Sequence, residues 1–326
     1  MTQETGSRTP ADSRPSVLIT GTSGYIGGTL ARELAARGYR VMGTHRDGGR
    51  VPGAPGAEGS VPLDLLARQP LPDGALAGVE TVVHTAGVAH GKDPANLYAA
   101  NADGSLALGR QAVRAGVRHL VFLSTIGVHG LEDDGTPITE ATAIRPPNTY
   151  ARAKRDAEDG LRALTQGTDT ALTVLRPPMV YGPGAPGNLQ TLLRWAARGL
   201  PFPAATRRNR RNLVAIDTLV HAIAAALETR PEGSRTYVVA DPAEIATGEV
   251  FARLCREMGR TPRFLPVPTG PLRLALRAVG REATYQGLFA NLRVDAGKLR
   301  RELDVAPAAG FDSSAPAIVR AFRENG

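Results

Sequence analysis

Cysteine occurs once in these 326 residues, at Cys255, which excludes any intramolecular disulfide and points to a reducing, cytoplasmic setting. With Val250, Phe251 and Leu254 on a helical pattern around it, Cys255 reads as a core residue. One cysteine and six scattered histidines form no ligand spacing, so no metal is expected. Aromatic residues make up only 5% of the chain, too few for an evident stacking platform for single-stranded nucleic acid. No apolar run approaches the ~18 residues of a membrane span. The stretch Met1 to Pro15 is polar, carries Arg8 and Arg14 but no apolar leader core, and reads as a disordered tail. Neither a nucleic acid nor a membrane is therefore expected as a partner. Acidic residues are also outnumbered, 31 against 39 basic, for a net charge of +8. The basic residues are spread over many helical segments. The one dense cluster is Arg207-Arg208-Asn209-Arg210-Arg211, which suits the phosphates of a nucleotide, those of a nucleic acid, or plain solvent.

Present instead are a 42% hydrophobic content, enough for one large α/β domain and a smaller one, and 37 glycines, several in a telling place. Ser16-Val17-Leu18-Ile19-Thr20 runs into Gly21-Thr22-Ser23-Gly24-Tyr25-Ile26-Gly27-Gly28, and a helical pattern follows with Leu30 and Leu34 inside. In a strand–turn–helix of this kind Gly21 permits the turn, Gly24 lets backbone N–H groups approach a pyrophosphate, and Gly27 allows the helix close to the strand. The phosphates then meet the helix N-terminus, where unpaired N–H groups and the dipole favour negative charge. An ordinary glycine-rich βα turn is the alternative.

Further strands are expected at Tyr39 to Thr44, Val61 to Asp64, Thr81 to Gly87, Leu120 to Thr125, Ala171 to Arg176 and Arg235 to Val239. Helical patterns intervene at Pro94 to Ala115, Leu189 to Arg198 and Leu219 to Glu228, and Asp47 to Ser60 is a Gly/Pro-rich loop. The alternation predicts a Rossmann-type doubly wound parallel sheet, with ligands at the C-terminal strand ends and a smaller C-terminal α/β substrate lobe. Residues 1–15 are then the tail, 16–176 the nucleotide-binding domain with a strand received from 235–240, and 177–326 mainly the substrate lobe. Where such a unit selective for NAD usually carries an acid, the second strand ends in His45 with Arg46 after it. An arginine there suits a 2′-phosphate, so NADP(H) is preferred over NAD(H), a solvated arginine being the bland reading. Asp64 could accept from the adenine amino group, and Thr85-Ala86-Gly87 leaves room for a flat cofactor.

Tyr150 and Lys154, at i and i+4, share one helix face. A tyrosine ordinarily titrates near about 10, and an adjacent ammonium group brings the phenolate nearer to working pH. Lys154 could also hold the nicotinamide ribose. Taken alone, Y-x-x-x-K is more often than not a surface pair. In order with the glycine turn and Thr125, however, it resembles the extended short-chain dehydrogenase/reductase family over nearly the whole chain. Val82-Val83-His84-Thr85-Ala86-Gly87, Tyr98-Ala99-Ala100-Asn101-Ala102-Asp103-Gly104 and Leu175-Arg176-Pro177-Pro178-Met179-Val180-Tyr181-Gly182-Pro183-Gly184 match its motifs. The resemblance implies that Thr125 bonds the substrate oxygen, Tyr150 moves the proton, Lys154 tunes the tyrosine, and hydride passes to or from nicotinamide. The implied cofactor contacts are Gly21, Thr22, Ser23, Gly24, Tyr25, Ile26, Gly27, Arg46, Asp64, Leu65, Thr85, Ala86, Gly87, Asn101, Tyr150, Lys154 and Pro177. Arg211 and Asn188 match positions that meet the diphosphate of a nucleotide-sugar, with Arg207, Arg208 and Arg210 as rim or solvated charge.

Relatives that eliminate water carry an acid and a base after the threonine, whereas this chain reads Ser124-Thr125-Ile126-Gly127-Val128-His129-Gly130. Without carboxylates at 126 and 127 the elimination lacks its catalysts, so a dehydratase is rejected. His129 replaces the usual tyrosine, and packing is the role expected of it. Two enzyme readings remain. The chain resembles reductases of nucleotide-linked 4-keto-6-deoxyhexoses, especially the 4-keto-quinovosamine type, through His84 to His90, Gly187-Asn188-Leu189 and Asn209-Arg210-Arg211-Asn212-Leu213. The usual serine there is Asn212. A 4-epimerase retaining NAD needs the same threonine, tyrosine and lysine and is the alternative. A non-catalytic NADP sensor is a third. A homodimer built on the helices carrying Asn101 and Tyr150 is implied by resemblance, although their apolar residues serve a monomer equally well.

Overall fold

The computed structural model describes residues 14–46, 57–67, 70–89, 93–278, 282–308 and 310–324. Met1 to Ser13 of the expected tail, residues 47–56 of the Gly/Pro-rich loop, and His90 lie outside the described residues.

Parallel strands β1 (Ser16–Thr20), β2 (Arg40–His45), β3 (Ala57–Pro62), β4 (Thr81–His84), β5 (His119–Leu123), β6 (Ala171–Arg176) and β7 (Ser234–Val238) form one seven-stranded sheet in the order β7-β6-β5-β4-β1-β2-β3. The winding reverses between β1 and β4, which opens a crevice at the C-terminal ends of those two strands. All five residues of β1 are buried because both faces of the sheet are covered. Val17 and Ile19 point into one core and Leu18 into the other.

The covering helices run in chain order: α1 (Tyr25–Ala36), α2 (Pro94–Tyr98), α3 (Gly104–Arg114), α4 (Thr149–Thr165), α5 (Asn188–Ala197), α6 (Ile216–Thr229), α7 (Thr247–Glu257), α8 (Thr269–Ala278), α9 (Glu282–Phe289), α10 (Gly297–Leu303) and α11 (Phe311–Glu324). On one face Leu30 and Leu34 of α1 meet Leu219 and Ile223 of α6 and Leu299 and Leu303 of α10. On the other, Leu108 of α3 and Leu161 of α4 cover Phe122 and Val174. Helices α3 and α4 approach closely because glycine faces leucine twice: a Cβ on Gly109 would come within 2.3 Å of Leu161, and one on Gly160 within 2.4 Å of Leu106. A third core, around Leu193, Phe251, Leu254, Cys255, Phe311 and Ile318, joins α5, α7 and α11 into the second lobe. The chain beyond Pro177 thus feeds both halves, since β7, α6 and α10 return to the main sheet.

Two local differences from the sequence reading have physical causes. The third strand covers Ala57–Pro62 rather than 61–64, because pairing with β2 continues through Gly59 and Ser60, residues of poor intrinsic strand preference. The helix expected over 94–115 is broken by a π-helical turn, Ala99–Asp103, which carries Asn101.

Three histidines lie in these cores: His84, His119 and His129 are 1%, 3% and 5% exposed. Burial, assisted by the positive charge of Lys154, Arg230 and Arg176 respectively, lowers all three, His84 to about 3 and His119 to about 4. A folded-state pKa below the unfolded value near about 6.5 means that the unfolded chain takes up the proton first. The stabilisation is therefore complete above that value and is lost as pH falls below it. Between about pH 7.5 and about pH 5.5 we expect urea denaturation to show a loss of about 1 kcal/mol for each of His84 and His119. An unchanged midpoint would mean that these rings are not held neutral.

Candidate active site

The glycine turn is built by close approach. Gly21 has a φ of 76°, and a Cβ there would lie 3.0 Å from the Cα of Ala86. A Cβ on Gly27 would lie 2.3 Å from the Gly21 carbonyl oxygen and 2.8 Å from the Thr85 hydroxyl. The Thr22 hydroxyl donates to the Thr44 carbonyl (3.1 Å), tying the turn to β2. The first turn of α1 has no side-chain cap and no acidic residue. The Tyr25 hydroxyl is buried without a hydrogen-bond partner among the described residues, and faces Gly182 across the crevice. Uncapped N–H groups and an orphaned hydroxyl beside a glycine-rich turn fit a dinucleotide whose pyrophosphate crosses α1.

Beneath the crevice a hydrogen-bond chain has one consistent direction. The Ala86 N–H donates to Thr20 Oγ1 (3.1 Å), and the Thr20 hydroxyl donates to His84 Nδ1 (2.7 Å). His84 Nε2–H donates to Ser105 Oγ (2.9 Å), whose own hydroxyl donates to the Asn101 carbonyl (2.8 Å). The neutral His84 is what lets one nitrogen accept while the other donates. Asn101 in turn clamps the exit of β4: its Nδ2 donates to the Val88 and Leu97 carbonyls (both 2.8 Å), and its Oδ1 accepts from the Val88 N–H (3.2 Å). A Cβ on Gly87 would lie 2.7 Å from Asn101 Oδ1 and 3.4 Å from Lys154 Nζ. The Leu65 carbonyl similarly needs Gly104, where a Cβ would approach it to 2.7 Å.

Thr125 follows β5 and caps a short 3-10 turn, Ile126–His129, by accepting from the Gly127 N–H (3.1 Å), which leaves its own O–H to donate. The Ile126 N–H donates to the Pro177 carbonyl (2.9 Å). Tyr150 is the second residue of α4, whose N-cap Asn148 accepts from the Ala151 N–H (2.9 Å). A Cβ on Gly127 would touch both Thr125 (3.3 Å) and Ala151 (3.9 Å), so the threonine and the start of α4 are neighbours. Burial pushes the Tyr150 hydroxyl up to about 12, and it has no hydrogen bond among the described residues. Lys154 Nζ is turned to the Leu123 carbonyl (2.9 Å), 4.6 Å above the Phe122 ring. Burial lowers it to about 8 despite Glu158. The tyrosine thus stands high through burial, where the sequence reading had the ammonium lowering it.

Sequence reasoning missed the support under this group. Glu158 has no exposed surface and accepts from the Ser124 hydroxyl (2.5 Å), from Arg176 Nε (2.9 Å) and Nη2, and from Arg162 (3.1 Å). Burial alone would raise its carboxyl, but these donors together hold it below the ordinary range. Arg176 Nη1 donates to His129 Nε2 (2.9 Å), and His129 Nδ1 donates to the Thr142 carbonyl (2.9 Å). His129 therefore packs through polar bonds. The available signal was Glu158 one turn beyond Lys154 on the same helix face.

The remaining candidates lie apart from this group. Arg46 is exposed at the end of β2, with no partner among the described residues. Asp64 Oδ1 accepts from the N–H groups of Leu66 (2.9 Å) and Ala67 (3.2 Å), turning the chain after β3. Asn188 is exposed at the start of α5. Arg211 donates to the carbonyls of Gln286 (3.2 Å) and Ala290 (2.9 Å), and burial lowers it to about 10. Asn212 binds the carbonyls of Asp241 and Pro242 and the N–H of Val294, a structural task that explains an amide where the resembling enzymes carry serine. Arg207 stacks on Phe264, while Arg208 and Arg210 are exposed.

Residues 17–240 match the model of the family described as "NAD dependent epimerase/dehydratase family". The UDP-glucose 4-epimerase of Vibrio cholerae is 27% identical over 94% of this chain and 96% of its own. The 3-diazoavenalumate denitrifying reductase of a Streptomyces species is 31% identical over 83% of this chain and 89% of its own. The crystal structure of UDP-glucuronic acid 4-epimerase from Bacillus cereus, in complex with NAD, superposes with a TM-score of 0.76 over 95% of this chain and 99% of that one. At 19% identity that likeness speaks for the fold alone.

We expect Glu158→Gln to lose about 3 to 5 kcal/mol in chemical denaturation, because it leaves the buried Arg176 guanidinium without a counter-charge. A loss below about 1 kcal/mol would mean that the pair is not the support described.

Proposed function

Because the chain belongs to the NAD dependent epimerase/dehydratase family, we propose that it reduces a ketone on a nucleotide-linked 4-keto-6-deoxyhexose with NADPH. The observation that carries this reading is the Thr125 hydroxyl, free to donate, beside the start of the α4 face that bears Tyr150 and Lys154. Burial keeps the Tyr150 hydroxyl protonated, as a proton donor to a ketone oxygen must be. An epimerase uses the same three side chains, so the choice between the two rests on the cofactor. A dinucleotide held by the Gly21–Gly27 turn and by Lys154 would supply the hydride-transfer chemistry at the carbonyl carbon. Thr125 donates a hydrogen bond to the ketone oxygen, and Tyr150 transfers its proton there as the alkoxide forms. The phenolate left behind draws the Lys154 ammonium, which stabilises it until solvent returns the proton. His84 and Asn101 act by holding the β4 exit, and Glu158 by holding the segment that carries Thr125. Asn188 and Arg211 are assigned to the substrate diphosphate, an assignment that requires Arg211 to trade its carbonyl partners for phosphate oxygens.

The NADP preference rests on Arg46, whose exposed guanidinium at the end of β2 is available to a 2′-phosphate. The reductase among the relatives supports the reaction class. The 4-epimerase of Vibrio cholerae supports the second reading, a nucleotide-sugar 4-epimerase with retained NAD.

Denaturing the purified protein and analysing the released nucleotide, then titrating NADPH and NADH, separates the two readings. Exchangeable binding with NADPH preferred supports reduction, and stoichiometric NAD that survives dialysis overturns it. Arg46→Asp should weaken NADPH at least about tenfold while sparing NADH, as loss of a charge-assisted phosphate contact implies. Tyr150→Phe should lower kcat by about a hundredfold or more with NADPH affinity retained. Unchanged turnover in that variant would remove the proposed proton donor.

A further inference from the structure

Among the described residues five large apolar side chains are exposed by more than a third, and four of them gather on the second lobe: Trp195 (37%), Leu200 (39%), Leu265 (52%) and Leu274 (70%). Contacts link the segments that bear the first three, and Leu274 follows on the next helix. The Trp195 ring meets Phe202 edge-on at 5.8 Å, and the Leu200 N–H donates to the Trp195 carbonyl. The strand Phe202–Pro203 pairs with Phe264–Leu265, which sets Leu265 opposite Pro203. Four residues later α8 begins, a helix with no buried residue and leucines at 272, 274 and 276. Arg260 closes the other side, lying 3.3 Å from the Cβ position of Gly199.

Within the two stretches that carry these side chains the charge has one sign. Residues 191–208 hold four arginines, residues 258–278 hold four more, and neither stretch contains an aspartate or glutamate. Arg207 lies 5.1 Å over the Phe264 ring, so part of the dense basic cluster belongs to this patch. Arg273 and Arg277 share a single carboxylate, Glu282 of α9, at 3.2 and 3.8 Å. Two guanidiniums on one carboxylate leave positive charge over.

We propose that this face docks the protein peripherally on an anionic lipid bilayer. Leucines standing proud of an arginine rim, with an indole beside them, match the layers of a membrane surface: acyl chains for the leucines, the headgroup level for the indole, lipid phosphates for the guanidiniums. A second copy of this chain is disfavoured as occupant, because an isologous contact would set these arginines against each other. No helix among the described residues is long and apolar enough to cross a membrane, so the docking is from one side. It adds a lipid surface where the sequence reading expected no membrane partner. It also places the substrate lobe against the bilayer, since α9, the neighbour of α8, supplies the Gln286 carbonyl held by Arg211. The inference goes beyond the reaction and can fail without touching it.

Trp195 is the only tryptophan, so its emission reports on this patch alone. The full-length protein is to be mixed with vesicles of phosphatidylcholine and with vesicles also containing phosphatidylglycerol. We expect a blue shift of Trp195 emission and co-sedimentation with the anionic vesicles only. The double variant Leu265→Ser, Leu274→Ser keeps the net charge, and it should bind those vesicles about tenfold or more weakly, as loss of two buried leucines implies. Its thermal midpoint and NADPH affinity should match the parent. Unshifted emission overturns the proposal. So does equal affinity of the double variant, which would mean adsorption through charge alone. A concentration-dependent dimer abolished by the same two substitutions would assign the face to self-association instead.

Discussion

A carboxylate without exposed surface persists as an anion only where fixed donors replace its water, and Glu158 collects them from three elements. Ser124 leaves the end of β5, Arg176 closes β6, and Arg162 lies one turn along α4. Because Arg176 also reaches His129, the same charge pins the turn that presents Thr125. The positions of Thr125 and of the α4 face bearing Tyr150 and Lys154 are thereby coupled to one ion pair below them. Such a pair adds little net stability over apolar packing, and its value lies in allowing one arrangement of the strand ends.

On the other side of the crevice the polar support is neutral. His84, uncharged through burial, passes a hydrogen bond from the β1 end to Ser105, and from there to the carbonyl of Asn101. A charged imidazole could not accept from Thr20, so neutrality and geometry are the same requirement. Asn101 sits in the π-helical turn, and its amide satisfies the backbone of the β4 exit on both sides of Val88. The glycines at 21, 27 and 87 complete the crevice, each at a point where a Cβ would strike backbone or a polar side chain. The crevice therefore has charged support on its β5–β6 side and neutral support on its β1–β4 side.

The second lobe is built differently. Its core is aromatic and aliphatic, with Phe202 stacked on Phe251 at 4.6 Å and Tyr181 bonded to the buried Asp241. Its outer surface carries leucines and arginines that stand exposed among the described residues. The contrast between a sheet domain with little exposed apolar surface and a lobe with much of it gives the docking proposal its footing.

The strand–turn–helix at Gly21, the alternation that builds a parallel sheet, and the Tyr150–Lys154 pair were legible in the sequence because each depends on spacing along a few neighbouring residues. Local order in the chain sets them, whatever the remainder does. What reading along the chain could not reach joins distant segments. Glu158 with Arg176, His84 with Ser105, and Asn212 with Val294 are each decided by which strand ends the fold brings together. The extended third strand follows from pairing with β2 and not from its own residues. The high Tyr150 hydroxyl and the lysine turned to Leu123 are of the same kind: i, i+4 spacing determined that they share a helix face, while burial and a carbonyl from β5 decided their protonation and direction. The sequence by itself determined most of the elements and the residues that face the crevice on neighbouring turns. Only the tertiary structure decided the electrostatics, because a pKa depends on solvent exclusion and on charges that arrive from elsewhere in the fold.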